Sequence, residues 1–188
     1  AARLPGGLAR AQERVSALRE RAGAGPRAGT AEGPQGAAML DRAGLAVLLV
    51  TRLPVLERTS RAPEPIIITD ISGSAGRREI QDAVSLGVMD VYDNHTFRPG
   101  APVTRGALAR SAAAVLRQFR RSGWLSERRF EGREASDVPP EHLAYADVME
   151  VLRYGVMELD AGGGFRPGDT VSGEEAVQVL DRLGRIGR

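Results

Sequence analysis

The chain contains no cysteine and no lysine. Without cysteine there is no disulfide framework, no thiolate metal site and no thiol nucleophile; this fits an oxidising compartment without requiring one. Without lysine every long basic side chain is Arg, a bias that a GC-rich genome produces as readily as function does. Aromatic residues are scarce at 4 %, so Ala, Val, Leu and Ile must fill most of the core that an apolar content of 42 % permits. Long apolar runs are missing too. The longest, Leu45 to Val50, falls far short of the roughly 20 residues of a membrane span. Charge of one sign is also lacking: the formal net charge is only +2, with acids interspersed among the arginines as on an ordinary solvated surface. The densest basic run, Arg117 to Arg133, also holds Glu127 and Glu131. No basic face with interleaved aromatics emerges, so nucleic acid is not an expected partner. No secretory leader is legible, and Ala1 as the first residue leaves open a leader or lipid anchor ahead of it.

Glycine and proline are plentiful and clustered. Gly23 to Gly36 holds five Gly and two Pro and hardly any large apolar side chain, which reads as a linker or loop. Ahead of it, Leu8, Ala11, Val15, Leu18 and Ala22 share one face of a helix expected over Leu8 to Arg21. Residues 1–36 are therefore assigned to an N-terminal helix and linker, and 37–188 to a second region.

That second region is self-similar. An ungapped offset of 68 places Gly87-Val88-Met89 over Gly155-Val156-Met157, Phe97-Arg98-Pro99-Gly100 over Phe165-Arg166-Pro167-Gly168, and Val103 over Val171. It also matches Ile80, Ala83 and Val84 with Val148, Val151 and Leu152, so one apolar helix face leads into the same loop twice. A partial copy lies upstream, where Asp41-Arg42-Ala43-Gly44-Leu45-Ala46 resembles Thr104-Arg105-Gly106-Ala107-Leu108-Ala109. The expected organisation is a partial repeat over 37–66, a repeat over 67–120, a connector over 121–134 and a repeat over 135–188.

Each repeat reads as helix, loop, helix. In the last copy Asp137-Val138-Pro139-Pro140 is expected to open the first helix, with Asp as cap and Pro in the first turn. Leu143, Val148, Val151 and Leu152 are expected to supply its apolar face. Gly155, like Gly87 in the preceding copy, is expected to end it. The loop then turns at Asp93-Asn94-His95 or among Gly162, Gly163 and Gly164. Phe97 and Phe165 anchor it in the core, and Arg-Pro-Gly continues extended because Pro disfavours helix before it. The second helix begins at the caps Thr104 and Ser172, with Ser172 and Glu175 at capping-box spacing. Leu108, Ala112, Val115 and Phe119 form its face in one copy, and Ala176, Val177, Leu180 and Leu183 in the other. One helix pair buries too little to stand alone, so the copies are expected to pack on each other.

These pieces resemble the S-layer homology family. Its repeat runs from an Asp-Val-Pro start through a Gly-Ile or Gly-Val helix end to Phe-Arg-Pro and a Thr-Arg-Ala-Glu helix opening. Here they stand as Asp70-Ile71 and Asp137-Val138-Pro139, Gly87-Val88 and Gly155-Val156, and Phe97-Arg98-Pro99 and Phe165-Arg166-Pro167. The resemblance covers roughly Ala37 to Leu183. It implies a mainly α, three-lobed domain of tandem helix-loop-helix units in a bacterial cell envelope, periplasmic or at the surface. It also implies binding to peptidoglycan or another cell-wall polysaccharide, with ligand contacts near the Thr-Arg-Ala-Glu helix starts. Similar Arg-rich versions follow tetratricopeptide arrays, of which Leu8 to Arg21 could be the end. The motif departs from the family pattern: it reads Asp41-Arg42-Ala43-Gly44, Thr104-Arg105-Gly106-Ala107 and Ser172-Gly173-Glu174-Glu175, and the Trp usual in the first helix is Leu143 in the last copy. Decay of the sugar site would leave a protein-interaction subunit that meets other envelope proteins.

The candidate ligand-binding residues are Arg42, Arg105 and Thr104. Each Arg would sit in the first turn of a helix beside free backbone N–H groups, which suits an anionic or carboxylated sugar; an Arg after a cap can equally point to solvent or pair with a local acid. Phe97, Phe165, Gly87, Gly155, Ser172 and Glu175 are assigned structural roles. His95 is assigned to a turn, since a metal site needs further ligands and His142 is the only other histidine. Asp160 among glycines lacks the ligand spacing of a calcium loop. Trp124 is a candidate interface residue or a cover for the gap between repeats. No Gly-x-Ser-x-Gly elbow and no phosphate-binding glycine loop is present, so no catalytic residue, metal or cofactor is expected.

Overall fold

The computed structural model describes residues 33–56, 66–126, 132 and 134–187. The helix expected over Leu8 to Arg21, most of the Gly/Pro-rich stretch and part of the connector lie outside them. Among the described residues the chain is mainly α and its only bridges are isolated ones. A 3₁₀ turn, Pro34–Gly36, precedes five helices: α1, Arg42–Arg52; α2, Arg77–Ser85; α3, Arg105–Arg121; α4, Tyr145–Arg153; and α5, Gly173–Ile186. Helix α1 packs on α2 and α3 packs on α4, so the second helix of one copy pairs with the first helix of the next. Helix α5 meets both α1 and α3.

Local chemistry explains the helix ends. Asp41, Thr104 and Ser172 are extended and their side chains accept the N–H of Gly44, Ala107 and Glu175, three residues on. Such a cap satisfies one of the donors that the first turn leaves unpaired. At the other end, Gly87 and Gly155 adopt φ of 66° and 64°. Their N–H groups donate to Val84 O and Leu152 O, and the next residues, Val88 and Val156, donate to Ala83 O and Val151 O. This paired wrap needs a left-handed residue, which glycine adopts without a Cβ penalty.

The copies close into a ring. Leu40 N donates to Val171 O at 2.8 Å, Val171 N to Val103 O at 2.9 Å, and Val103 N to Leu40 O at 2.8 Å. Three equivalent positions thus bond in a cycle around a pseudo-threefold axis. A second set lies outside it: Arg42 N donates to Ala101 O, Arg105 N to Asp169 O and Gly173 N to Ala37 O. The Pro34–Ala37 turn therefore takes, in the first copy, the place that Arg98–Ala101 and Arg166–Asp169 take in the others. Pro34–Gly36 was expected in the linker; instead it packs on α5 and α1. The partial copy is short in sequence, yet it closes the ring.

The core runs through all three copies and centres on Phe97, Phe119 and Phe165, with Leu40, Leu45, Leu49, Ile80, Leu108, Leu116 and Leu180 around them. One expected core residue is misplaced. Leu143 is 100 % exposed, because α4 begins only at Tyr145 and Leu143 lies in the turn before it. Val148 and Val151 are buried and Leu152 is half-buried. Trp124 tilts onto Phe119 at a centroid distance of 6.0 Å, covering the end of α3 while remaining partly exposed.

Candidate functional site

Two near-identical clamps hold the loops. Asp70 accepts the N–H groups of Phe97 and Arg98 at 2.7 Å each, and Asp137 accepts those of Phe165 and Arg166 at 2.7 Å each. Asp137 was expected to cap the first helix. It does not: α4 is preceded by Ala144 without a side-chain cap. Its carboxylate reaches across to the loop of its own copy, where two adjacent N–H groups present a donor pair. The same grip bends the backbone. Arg98 and Arg166 adopt φ of 56° and 55°, left-handed rather than extended as expected. The turn also requires positive φ at His95 (58°) and at the equivalent Gly163 (84°), not at Asn94. The Asn94 side chain instead accepts from Thr96 Oγ1 at 2.6 Å.

The electrostatics of Asp137 follow. Burial is the largest single influence and opposes ionisation, but backbone N–H donors, those of Phe165 and Arg166 foremost and that of Asp137 itself, outweigh it and hold the carboxyl below its ordinary value. The Asp160 carboxyl is held low as well, chiefly by the Gly164 N–H, against burial and with help from Gly162 and Arg166. A carboxyl depressed in the folded state contributes stability above its unfolded pKa and loses it as pH falls through the folded value. The melting temperature is therefore expected to fall as the buffer drops below about pH 4. Asp137→Asn should lower it at neutral pH and flatten that acid dependence. A wild-type melting temperature unchanged between neutral pH and about pH 3 would contradict this.

The arginines are the other half of each clamp. Arg42 donates from Nε to Phe97 O at 2.8 Å and from Nη2 to Asp90 O at 2.6 Å. Arg105 donates from Nε to Phe165 O at 2.8 Å and from Nη2 to Glu158 O at 3.0 Å. Each guanidinium lies over the phenyl ring of the loop it holds, 4.4 Å from the Phe97 centroid and 4.9 Å from that of Phe165. The first turns of these helices were expected to offer free N–H groups, and they do not. Those of Arg42 and Ala43 go to Ala101 O and Pro99 O, those of Arg105 and Gly106 go to Asp169 O and Pro167 O, and the Thr104 side chain takes that of Ala107. The ring closure that joins the copies consumes them. Glu175 also differs from a full capping box: its N–H donates to Ser172 Oγ, but its carboxylate pairs with Arg105 instead of reaching back to the cap.

A groove of about 900 Å³ runs between the copies beside Arg42. Arg42, Tyr92, Arg110, Arg117, Ala107 and Leu143 line it. Arg110 pairs with Asp90 at 2.9 Å and Arg117 with Asp147 at 2.8 Å. Arg42 lies 5.3 Å and Arg98 4.0 Å from the Tyr92 ring centroid, so two cations lie close to one aromatic at the groove wall. Burial pushes the Arg42 guanidinium below its ordinary pKa. Arg110, Arg117 and Tyr92 were not singled out in the sequence; their only signal was recurrence on the outward face of α3 and in the loop before it. His142 caps the turn before α4, its Nδ1 accepting Ala144 N–H. Among the described residues no three acidic or histidine side chains are gathered to hold a metal ion, and no helix is long and apolar enough to cross a membrane.

Comparison with curated proteins gives no match. The family model of the S-layer homology domain matches residues 67–109 and 136–177. Each match opens beside the clamp aspartate and runs through the loop phenylalanine into the capped second helix. Modules of this family are non-catalytic and bind cell-wall polymers in bacterial envelope and surface proteins. The two matched segments are S-layer homology domains.

Proposed function

We propose that the chain is a non-enzymatic module that tethers the protein carrying it to peptidoglycan or to an acidic wall polysaccharide, in the periplasm or at the cell surface. Residues 37–188, with the Pro34–Gly36 turn, form the binding unit. The groove beside Arg42 carries this reading. It joins an aromatic wall at Tyr92, on which a sugar ring can stack, to a planar guanidinium that matches a carboxylate in two-point fashion.

Wild-type protein is expected to sediment with purified wall. Arg42→Ala should weaken that binding by about 10- to 100-fold, the scale of one charged hydrogen bond. Because Arg42 also holds Phe97 O and Asp90 O, a circular dichroism melt must show the variant folded at the assay temperature. Wild-type protein that stays in the supernatant would overturn the reading. A second reading draws on the wholly exposed Leu143 and the largely exposed Ile67. These side chains suit a protein partner, and an interaction subunit with a decayed sugar site would leave the wall pellet empty.

A further inference from the structure

The pseudo-threefold axis sets what each capped second helix carries. Helix α1 carries α2, the first helix of the next copy, and α3 carries α4 in the same way. The loops follow their helices: Arg42 of the first copy holds the loop of the second, and Arg105 of the second holds that of the third. Continued round the ring, this order gives α5 a first helix belonging to the first copy. Among the described residues no helix lies in that place; α5 meets the Pro34–Gly36 turn, α1 and α3 instead. The vacancy shows in the burial. The fifth residue after the cap is Ala46 in α1 and Ala109 in α3, both 0 % exposed. In α5 it is Val177, a larger apolar side chain, and it is only half-buried. Leaving valine less covered than two equivalent alanines forfeits apolar burial that a further helix would supply.

The chain has an occupant of its own for this place. The turn at Pro34–Gly36 packs on α5, so the chain enters the ring beside the uncovered helix. In both complete copies the same interval separates the end of the first helix from the cap of the second, Ser85 to Thr104 and Arg153 to Ser172. Counted back from Asp41, that interval lands on Ala22, the last member of the apolar stripe Leu8, Ala11, Val15, Leu18 and Ala22. We propose that the segment Leu8 to Arg21 is the first helix of the first copy, and that it docks on α5 of its own chain with its apolar stripe over Val177. An amphipathic segment of this length is marginal by itself in water and gains its stability by burying one face. The short tether to Pro34 makes the docking intramolecular, so a modest contact area suffices. The grip differs from that at the other junctions: Gly173 stands where Arg42 and Arg105 stand, and no Phe lies between Ala22 and Asp41. Apolar contact therefore replaces the arginine clamp here. This inference goes beyond the wall-binding reading and does not depend on it.

The chain has no cysteine, so two introduced thiols are the only ones present. The Arg117–Asp147 pair marks where a first helix meets the helix beneath it, and its counterparts at this junction are Arg185 and Ser16. The full chain carrying Ser16→Cys and Arg185→Cys is treated with a short bismaleimide, and the product is read by denaturing gel and mass spectrometry. A cross-link within one chain is expected. Its yield should be several-fold above that of Ser16→Cys combined with Arg78→Cys, an exposed position on α2 that measures undirected encounter. Adding Val15→Asp and Leu18→Asp should bring the Arg185 yield down to that reference, with circular dichroism showing the ring still folded. The same two substitutions in the cysteine-free chain should move the Val177 methyl resonances. The proposal is overturned if the two cross-linking yields are equal, which is the result for a segment that ends an upstream repeat array. It is also overturned if the two Asp substitutions leave the Arg185 yield unchanged, or if the product joins two chains, which would give the place on α5 to the helix of a second copy.

Discussion

Phe165→Ala is expected to destabilise the domain by about 3–5 kcal/mol, the range for removing a fully enclosed aromatic side chain. The ring is 0 % exposed and its residue is held from three sides. Asp137 takes its N–H, Arg105 takes its carbonyl oxygen, and the Arg105 guanidinium lies over its face. Removing the ring leaves a cavity that these bonds resist collapsing, because they fix the backbone at the loop's centre. Domains of this size hold only about 5–15 kcal/mol in all, so the loss is a large share of the total. Phe97→Ala, with the same clamp from Asp70 and Arg42, should behave alike. Urea unfolding followed by circular dichroism measures both. A loss below about 1 kcal/mol for either would mean that the loop is not anchored as described.

Gly173→Ala is expected to destabilise by roughly 3 kcal/mol, at the upper end of what overpacking costs. The sign is the informative part. Helix propensity alone favours Ala over Gly by about 1 kcal/mol, so a helix considered in isolation would gain. In the ring, a methyl group at 173 would overlap the Pro34 carbonyl oxygen and lie 2.7 Å from that of Gln35. Both obstacles are backbone, so no side-chain rotation relieves them. The turn must withdraw, which breaks the bond from Gly173 N to Ala37 O and loosens the adjoining link from Leu40 N to Val171 O. Gly168→Ala provides the control, since nothing lies within 4 Å of a methyl group there. If Gly173→Ala melts at or above the wild-type temperature, the Pro34–Ala37 turn does not close the ring. The same crowding explains why Arg is absent from this copy of the motif: a long side chain at 173 has no way out past the turn.

Much of the local structure was legible in the chain. Asp41, Thr104 and Ser172 cap helices, and Gly87 and Gly155 end them, because capping and left-handed termination act between residues two to five positions apart. Phe97 and Phe165 are buried at matched positions because a repeated register repeats its core. What escaped the sequence was the choice of partner across long separations. Asp137 could have capped the turn after it, yet it grips a loop 28 residues on. Glu175 had the spacing to complete a capping box, yet it pairs with an arginine 70 residues away. The free N–H groups expected beside Arg42 and Arg105 are consumed by carbonyls of the following copy. Residue type and short-range spacing determined which donors and acceptors exist and how each helix begins and ends. The ring of three copies decided which of them meet, because a polar group taken out of water binds whichever complementary group the packed lobes bring within reach.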